Sequence, residues 1–377
     1  MPAPSGRARA GDRSSAYPYE MRIAMVSTPF VAVPPPAYGG TELVVHALTR
    51  ALTRAGHEVA LFATGDSRGA WPGAPFRTAV WPPDFYAELV HSRFAARAIG
   101  RGRFDVVHAH VPSFLAFAPE LPAPLVYTLH HTVQSHLSRF YQHTPGVRQV
   151  AISERQAALA DPPVQAVVHH GLDPDLYPVV GPGGDQAFFL GRLTHVKAPD
   201  LAIEAARQAG LPIVVAGKIH AEENPRGWDD LLDRALAEPH VRWMGEADLG
   251  AKRRNFARSR ALLVPLRWEE PFGLVMIEAM LAGCPVIASP RGAAPELVEE
   301  GMTGFLADDV RDMAAALGRA AALDRRAIQA RARQRFSADR MARGYLAVYR
   351  AALSADRPGT ALPAARAEEG GWTTLAQ

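Results

Sequence analysis

Two successive series of short β-rich runs, each alternating with helical runs, constrain the fold of this chain more than any other feature. Such alternation is typical of parallel, doubly wound α/β sheets. A Pro- and Gly-rich segment near residues 178–186 separates the series and predicts a linker between two domains. The predicted strands are 21–27, 58–63, 105–108, 125–128, 149–152 and 165–168 in the first series, and 187–190, 212–216, 241–244, 261–264, 285–288 and 304–306 in the second.

The pattern divides the chain of 377 residues into two Rossmann-like domains, which is a length that allows two separate cores. We predict the first domain at residues 21–178 and the second at 179–337. A last helix is predicted at 338–353. Residues 1–20 and 354–377 have the character of disordered tails.

Composition indicates an ordinary soluble α/β protein, with 48% hydrophobic and 21% charged residues. The single cysteine, Cys284, excludes an internal disulfide and a cysteine-based zinc site. We expect a cytoplasmic protein, because neither a membrane-spanning run nor a signal peptide is recognisable. A net charge of only +3 argues against nucleic-acid binding.

Two glutamates, Glu270 and Glu278, stand eight positions apart at the start of a predicted helix. Pro271 suits a first helical turn and Gly283 suits a helix end, so we predict that the helix begins near Pro271. Glu270 would then lie in the loop at the helix mouth. Glu278 would lie about two turns inside, where a carboxylate can accept hydrogen bonds from the vicinal hydroxyls of a ribose.

The start of the same helix predicts an anion site. Free N–H groups near Gly273 and Leu274 and the helix dipole favour a phosphate, and Gly273 allows close approach to the backbone. The simpler alternative is that the glutamates flank an ordinary solvated helix. The apolar neighbours of Glu278 argue against a purely solvent-facing role for that side chain.

The residues EPFGLVMIEAMLAGCPVIA, 270–288, closely resemble the Glu-x7-Glu signature of the retaining glycosyltransferases of group 1, the family 4 type. The resemblance implies the GT-B fold, in which two Rossmann-like domains face each other across a cleft. It implies that Glu278 binds ribose and that Glu270 binds the donor sugar. It also implies a nucleoside-diphosphate sugar as co-substrate, with no cofactor and no metal.

The segment from Phe188, FLGRLTHVKAPDLAIEAA, resembles the G-R-L…K-G motif of this family, whose Arg and Lys bind the donor diphosphate. Arg192 and Lys197 are the matching residues, although Ala198 stands where the family usually has Gly. A planar guanidinium and a compact ammonium suit a leaving diphosphate, whereas a lone Arg after a strand is often a surface charge. The resemblance adds five donor-binding residues in this domain, namely Gly217, Met244, Phe272, Gly273 and Leu274.

In the first domain, the loop PPPAYGGTE at 34–42 leads from a strand into a helix, with Thr41 as the predicted N-cap. In the resembling family this loop closes on the diphosphate and the sugar, so Gly39 and Gly40 are predicted to contact the donor. A plain Gly-Gly turn is the alternative. The loop lacks G-x-G-x-x-G, and the chain lacks a P-loop motif, which disfavours dehydrogenases and P-loop NTPases.

The strand 125–128 ends shortly before His130 and His131, at the edge where ligands of open α/β sheets bind. His130 matches the T-x-H segment of the family and is the predicted catalytic histidine, whereas His131 replaces the usual Gly and would shape the acceptor pocket. A structural hydrogen bond is the alternative for any such histidine. His108, His110, His169 and His170 are interpreted as structural, and Asp173 and Asp175 are rejected as a metal-binding D-x-D motif.

Aromatic residues in the first domain are candidates for an acceptor site, and four arginines lie between residues 84 and 104. That stretch is compatible with weak peripheral membrane contact, but a solvated helix with its apolar face in the core explains it more simply. The residues concerned are Trp71, Trp81, Phe85, Tyr86, Phe140 and Tyr141, with Arg93, Arg97, Arg101 and Arg103.

The sequence therefore predicts a metal-independent, retaining hexosyltransferase that uses a sugar nucleotide, with UDP-glucose as the assumed donor and an unidentified acceptor. Two alternatives remain at this stage. One is a sugar-nucleotide epimerase or hydrolase of the same fold, and the other is a non-catalytic subunit that binds a sugar nucleotide. The sequence leaves the oligomeric state open.

Overall fold

The computed structural model describes residues 20–36, 39–178, 181 and 183–355. The predicted tails lie outside these residues, except for Glu20 at one end and residues 354–355 at the other. Residues 354–355 are helical, because the last helix extends to Ala355.

The first domain is built on a parallel sheet of six strands in the order β2-β1-β3-β4-β5-β6. Its strands are short and almost wholly buried, as expected where helices cover both faces of a parallel sheet. The strands are β1 (Arg22–Val26), β2 (Glu58–Phe62), β3 (Val106–Ala109), β4 (Leu125–Thr128), β5 (Arg148–Ala151) and β6 (Ala166–Val167), with helices α1 (Gly40–Arg54), α2 (Phe85–Arg101), α3 (Ser135–Gln142) and α4 (Glu154–Leu159) and a 3-10 helix at Pro112–Glu120.

The second domain repeats this plan with the strand order β12-β11-β10-β7-β8-β9. Its strands are β7 (Gln186–Leu190), β8 (Ile213–Ala216), β9 (Val241–Trp243), β10 (Ser259–Val264), β11 (Val286–Ala288) and β12 (Gly304–Leu306). Its helices are α5 (Pro199–Gln208), α6 (Trp228–Leu236), α7 (Leu249–Arg258), α8 (Leu274–Leu281), α9 (Ala294–Leu297), α10 (Val310–Ala320) and α11 (Arg325–Phe336), with a 3-10 helix at Ala221–Glu223. Another 3-10 helix, at Pro174–Leu176, lies at the end of the first domain.

The two sheets confirm the predicted α/β class with two Rossmann-like domains. In each sheet the strand order reverses at one point, between β1 and β3 in the first domain and between β7 and β10 in the second. Loops diverge at such a point and leave a crevice beyond the carboxyl ends of the strands. The loops after these four strands are therefore the expected place for a ligand.

The last helix, α12 (Ala338–Ala355), follows the second domain in sequence but packs on the first. The Tyr345 hydroxyl bonds Thr128 Oγ1 at 2.7 Å, and the Tyr349 hydroxyl bonds His108 Nδ1 at 2.8 Å. The backbone of Leu172 bonds Phe336 and Ala338 at 2.9 and 2.8 Å, which fixes the crossing point. The helix thus joins the cores of the two domains.

One predicted helix start and one predicted N-cap are wrong. Helix α8 begins at Leu274 rather than near Pro271, because Gly273 has a left-handed backbone with φ of 90° that interrupts the helical run. Helix α1 begins at Gly40 and is preceded by Gly39, which makes no side-chain cap, so Thr41 is not its N-cap. Within the described residues, no helix is both long and apolar enough to span a membrane.

Candidate active site

The loops that follow β7 and β10 meet beside the switch point of the second domain, and they bring Lys197 and Glu270 into contact. The Lys197 ammonium donates to Glu270 Oε2 and lies 4.7 Å from the centre of the Trp268 ring. Trp268 Nε1 donates to the same carboxylate oxygen at 3.0 Å. The Glu270 carboxylate is thereby oriented by two donors while its side chain keeps 10% exposure.

The segment that follows β11 contacts the backbone of Glu270 and holds it in place. Ala293 N donates to the Glu270 carbonyl at 2.9 Å. Gly292 has φ of 57°, and a Cβ at this position would lie 2.3 Å from the Glu270 backbone N and O atoms. Only glycine fits here, because both the conformation and the close approach exclude a side chain.

Arg192 lies in the turn after β7, where its guanidinium pairs with Glu223. Its buried Nε atom has no hydrogen-bond partner among the described residues, so the guanidinium group has an N–H donor that is still unused. Gly217, at the end of β8, packs on this turn, because a Cβ there would lie 1.7 Å from the Gly191 carbonyl oxygen. Gly217 therefore shapes the turn that carries Arg192.

Arg267 connects the two loops, a role that the sequence did not suggest. Its guanidinium forms a bidentate pair with Asp200, at 2.8 and 2.5 Å, and donates to the His195 carbonyl at 3.0 Å. Bidentate pairs of this kind set geometry as well as energy. The loop of Lys197 is therefore held against the loop of Glu270.

Glu278 forms a second, more deeply buried cluster. Its Oε1 atom accepts from the Tyr177 hydroxyl at 2.8 Å and from Lys252 Nζ at 2.9 Å, and the residue is 2% exposed. Burial and the neighbouring carboxylate hold the pKa of Tyr177 well above its usual value. Glu278 lies one turn inside α8 rather than two, as a result of the later helix start.

The loop that contains Gly39 and Gly40 approaches the start of α8 in the second domain closely. A Cβ on Gly40 would lie 3.3 Å from Leu274 Cδ1, and a Cβ on Gly39 would lie 2.7 Å from Pro35 Cβ. Gly39, Gly40 and Leu274 are all half-buried, so the first-domain loop faces the start of α8. Met244 is half-buried just beyond β9, where its backbone N donates to the Val215 carbonyl at 3.0 Å.

Phe272 differs from the other predicted donor-binding residues, because its ring is buried between the domains. It is 2% exposed and meets the His170 ring edge to face at 5.0 Å between ring centres. The side chain therefore contributes to domain packing. Gly273 next to it has no Cβ, and one would lie 2.3 Å from Met276 Cε.

His130 belongs to a row of four imidazoles that runs from this interface into the first domain. His130 stacks on His170 at 5.2 Å between ring centres and bonds His110 at 2.8 Å between nitrogen atoms. His110 in turn lies 4.2 Å from His108. Burial, reinforced by the neighbouring His131, lowers the pKa of half-buried His130 to about 3, so its imidazole is neutral at pH 7.

The aromatic candidates for an acceptor site separate into two groups. Trp71 stacks on Phe62 at 5.2 Å in the core, and Tyr141 is buried with its hydroxyl 3.0 Å from that of Tyr127. In contrast, Trp81, Phe85 and Tyr86 are 60%, 64% and 74% exposed. Phe140 is half-buried, so the most exposed rings are those of the second group.

One group of side chains among the described residues has the proximity of metal ligands. His220, Glu222 and Glu223 place their ligand atoms within 4.8 Å of one another near Arg192. Glu222 and Glu223 are exposed, and Glu223 already pairs with Arg192. Asp173 and Asp175 lie instead at the 3-10 helix Pro174–Leu176, where Asp173 caps the backbone.

The sequence singled out the two glutamates and Lys197, but it missed the other partners of the glutamates. The chain has 41 basic residues of which three are lysines, and two of these lysines contact Glu270 and Glu278. Because lysine is rare in this chain, the presence of Lys252 could have indicated a candidate site residue. Tyr177, Trp268 and Arg267 carried no comparable signal, since their roles depend on contacts between distant segments.

Two facing Rossmann-like domains, with cations and carboxylates at the switch point of the second, define the GT-B class of glycosyltransferases. The family model "Glycosyl transferases group 1" matches residues 181–338, and "Glycosyltransferase Family 4" matches residues 38–176. The chain belongs to the group 1 glycosyltransferases, and it is an enzyme of that kind.

Known relatives include two proteins named D-inositol 3-phosphate glycosyltransferase. The one from Geodermatophilus obscurus is 30% identical over 67% of each chain. The one from Mycolicibacterium paratuberculosis is 29% identical over 71% of this chain and 68% of its own. The crystal structure of Anabaena HepE in complex with UDP-glucose has the same fold, with a TM-score of 0.67 and 19% identity over 88% of this chain and all of its own.

Proposed function

We propose that this chain is a retaining, metal-independent hexosyltransferase that takes a hexose from a nucleoside-diphosphate sugar. The observation that carries the proposal is the contact between Lys197 and Glu270 at the switch point, with Arg192 on the same loop. These groups supply a cationic site for a diphosphate and a carboxylate for sugar hydroxyls. UDP-glucose is the first donor to test, because HepE binds it.

Arg192 and Lys197 would stabilise the charge that grows on the diphosphate as its bond to the sugar breaks. An ammonium group has three N–H donors, so Lys197 can hold Glu270 and a phosphate oxygen together. We assign no side chain as the nucleophile. The acceptor hydroxyl attacks the anomeric carbon on the face that the phosphate leaves, and its proton passes to a phosphate oxygen, so the configuration is retained.

We assign binding of the acceptor to the first domain. His130 would orient the acceptor or the transferred sugar, since it lies beyond the carboxyl end of β4 and reaches the domain interface through His170. D-Inositol 3-phosphate is the first acceptor to assay, because two relatives carry that name. Positioning of this kind contributes to the rate without any covalent step on the enzyme.

Substitutions of Glu270 and Glu278 test where the donor binds. Glu278→Gln should weaken the binding of free UDP, GDP or ADP, because ribose hydroxyls lose a charged acceptor. Glu270→Gln should leave nucleotide affinity near that of the wild type and should lower turnover, because its contacts are assigned to the sugar. Calorimetric titration beside steady-state rates measures both effects. Glu204→Gln, on the exposed face of α5, is the matched control.

Equal losses of nucleotide affinity in the two variants would show that the donor is placed wrongly. Since Glu278 also holds Lys252 and Tyr177, the Tyr177→Phe variant separates a folding defect from a binding defect. Donor consumption without any acceptor would favour the epimerase or hydrolase alternative. Nucleotide binding without turnover over a broad set of acceptors would favour the non-catalytic subunit.

A further inference from the structure

Glu296, in the short helix α9 of the second domain, directs its carboxylate into the first domain. Its Oε2 atom accepts from the Glu154 backbone N at 2.8 Å, and its Oε1 atom accepts from the Arg155 backbone N at 2.6 Å. His169 Nε2 donates to Oε2 at 3.0 Å. All three partners belong to the first domain, and the side chain is 19% exposed.

The two amides belong to the first turn of α4, where N–H groups have no partner within the helix. Glu296 satisfies them from the other domain, and its negative charge matches the positive end of the helix. Burial raises the pKa of Glu296, but the bonds from His169, Arg155 and Glu154 outweigh burial and lower it overall. The carboxylate is therefore charged at neutral pH, and its bonds are charge-assisted.

Helix α4 connects this contact to His130 through the side chain of Gln156, which is 3% exposed. Gln156 Nε2 donates to the carbonyl of His131 at 2.8 Å and to that of Leu129 at 3.3 Å. Its Oε1 atom accepts from the Ile152 backbone N at 2.8 Å. The residues on both sides of His130 are thus attached to α4.

The hydrogen bonds around Glu296 also extend to Glu270 in the second domain. Glu296 lies three residues after Ala293, whose backbone N bonds the Glu270 carbonyl at 2.9 Å. Arg335 stabilises helix α9, because it donates to the Glu296 carbonyl and, at 2.9 Å, to the Leu297 carbonyl. A continuous set of hydrogen bonds therefore runs from the Glu270 loop through Glu296 and α4 to the His130 segment.

We propose that Glu296 is a positioning residue that sets His130 of the first domain at a fixed place relative to Glu270 of the second. The inference rests on the proposed function, because it assigns the acceptor side to His130 and the donor sugar to Glu270. The Glu296 carboxylate bonds α4 and His169 rather than Glu270 or His130. Its loss should misplace the acceptor against the donor while leaving the nucleotide site intact.

The test compares Glu296→Gln with Glu300→Gln, a matched control whose carboxylate bonds Leu306 and Arg319, which both belong to the second domain. Glu296→Gln should lower kcat by ~10-fold to 100-fold, since small misplacements of reacting groups have effects of this size. UDP or GDP affinity, measured by calorimetry, should change less than about twofold. Glu300→Gln should leave both quantities unchanged.

A second readout does not depend on turnover. Hydrogen exchange at the amides of Glu154 and Arg155 should accelerate in Glu296→Gln, and the NMR signals of the His130 ring should shift. An unchanged kcat in that variant, or unchanged His130 signals despite faster exchange at both amides, would overturn the proposal. If wild-type protein shows no transferase activity, the proposed function fails, while the exchange and NMR results still report on the connection itself.

Discussion

At the scale of single residues, each motif glutamate holds a lysine ammonium group, but the two pairs differ in exposure. The Glu270 side chain keeps 10% exposure beside Lys197, whereas Glu278 keeps 3% beside Lys252. A pair that retains access to solvent can take a ligand without breaking the fold. A buried pair that loses one partner leaves an uncompensated charge, which is strongly destabilising.

This difference makes Lys197 testable by simple truncation, together with Arg192, which pairs with Glu223 and is also partly exposed. Arg192→Ala and Lys197→Ala should each lower turnover by ~10² or more, as expected for the loss of one group that stabilises transition-state charge. Thermal stability should change little. Arg207→Ala is the control, since Arg207 forms a comparable ion pair with Glu204 on exposed α5. Near-normal rates in both variants, with folding intact, would remove their assigned role.

At the scale of elements, the carboxyl ends of β3 and β4 build a neutral histidine core rather than a charged one. Burial lowers the pKa of His108 to about 3 and that of His130 to about 3. Burial and neighbouring imidazoles also hold the pKa values of His110 and His170 well below the usual value. The His108 ring is hydrogen-bonded at both nitrogens as a neutral group, because it is held between Thr128 and Tyr349.

The buried histidines predict a specific dependence of stability on pH. Their folded-state pKa values lie below the unfolded value of about 6.5, so the unfolded chain binds more protons below that pH. Their contribution is complete above pH 6.5 and is lost as the pH falls from 6.5 towards 3. Between pH 7.5 and 5.5, the free energy of unfolding should fall by about 1 kcal/mol for each histidine.

Urea titration of wild type and His108→Gln at these two pH values measures this effect. The variant should be less stable at pH 7.5, because bonds to Thr128 and Tyr349 are lost, yet its stability should fall less on acidification. His136→Gln, at an exposed position on α3, is the control and should keep the wild-type dependence. A free energy of unfolding that stays constant over this range would contradict the assignment.

At the scale of the whole molecule, two sheets face each other and are joined by Glu296, by α12 and by packing of Phe272 on His170. The loops that follow the carboxyl ends of the strands in both sheets meet at one interface. Under the proposed function, Arg192 and Lys197 would meet the negative charge of a diphosphate there, so we expect a reaction that needs no divalent metal.

Chelation tests that arrangement on the intact protein. The rate in EDTA should stay within about twofold of the rate in Mg²⁺, because we assign to Arg192 and Lys197 the role that a metal performs in other transferases. Loss of activity in EDTA that Mn²⁺ restores would contradict this expectation. The Glu222→Gln variant would then decide whether the group His220, Glu222 and Glu223 holds the ion, with Asp173 and Asp175 as the other candidates.

Local patterns in the sequence were enough for the strands and the fold class. Buried parallel strands have short apolar runs with clear boundaries, and the predicted strands therefore match the observed ones to within two residues at each end. The start of α8 was wrong, because the apolar spacing does not reveal the left-handed conformation of Gly273. Thr41 failed as a cap for a similar reason, since Gly39 and Gly40 form the helix start.

The sequence by itself determined that this chain folds as two parallel α/β domains, and it predicts which motif residues carry charge for a sugar nucleotide. Only the tertiary structure decided that Lys252 and Tyr177 hold Glu278, that Arg267 joins two loops and that Glu296 reaches across to α4. Periodicity records which face of an element is buried. The partner of a buried polar group is set by packing between distant segments, and no local pattern encodes that choice.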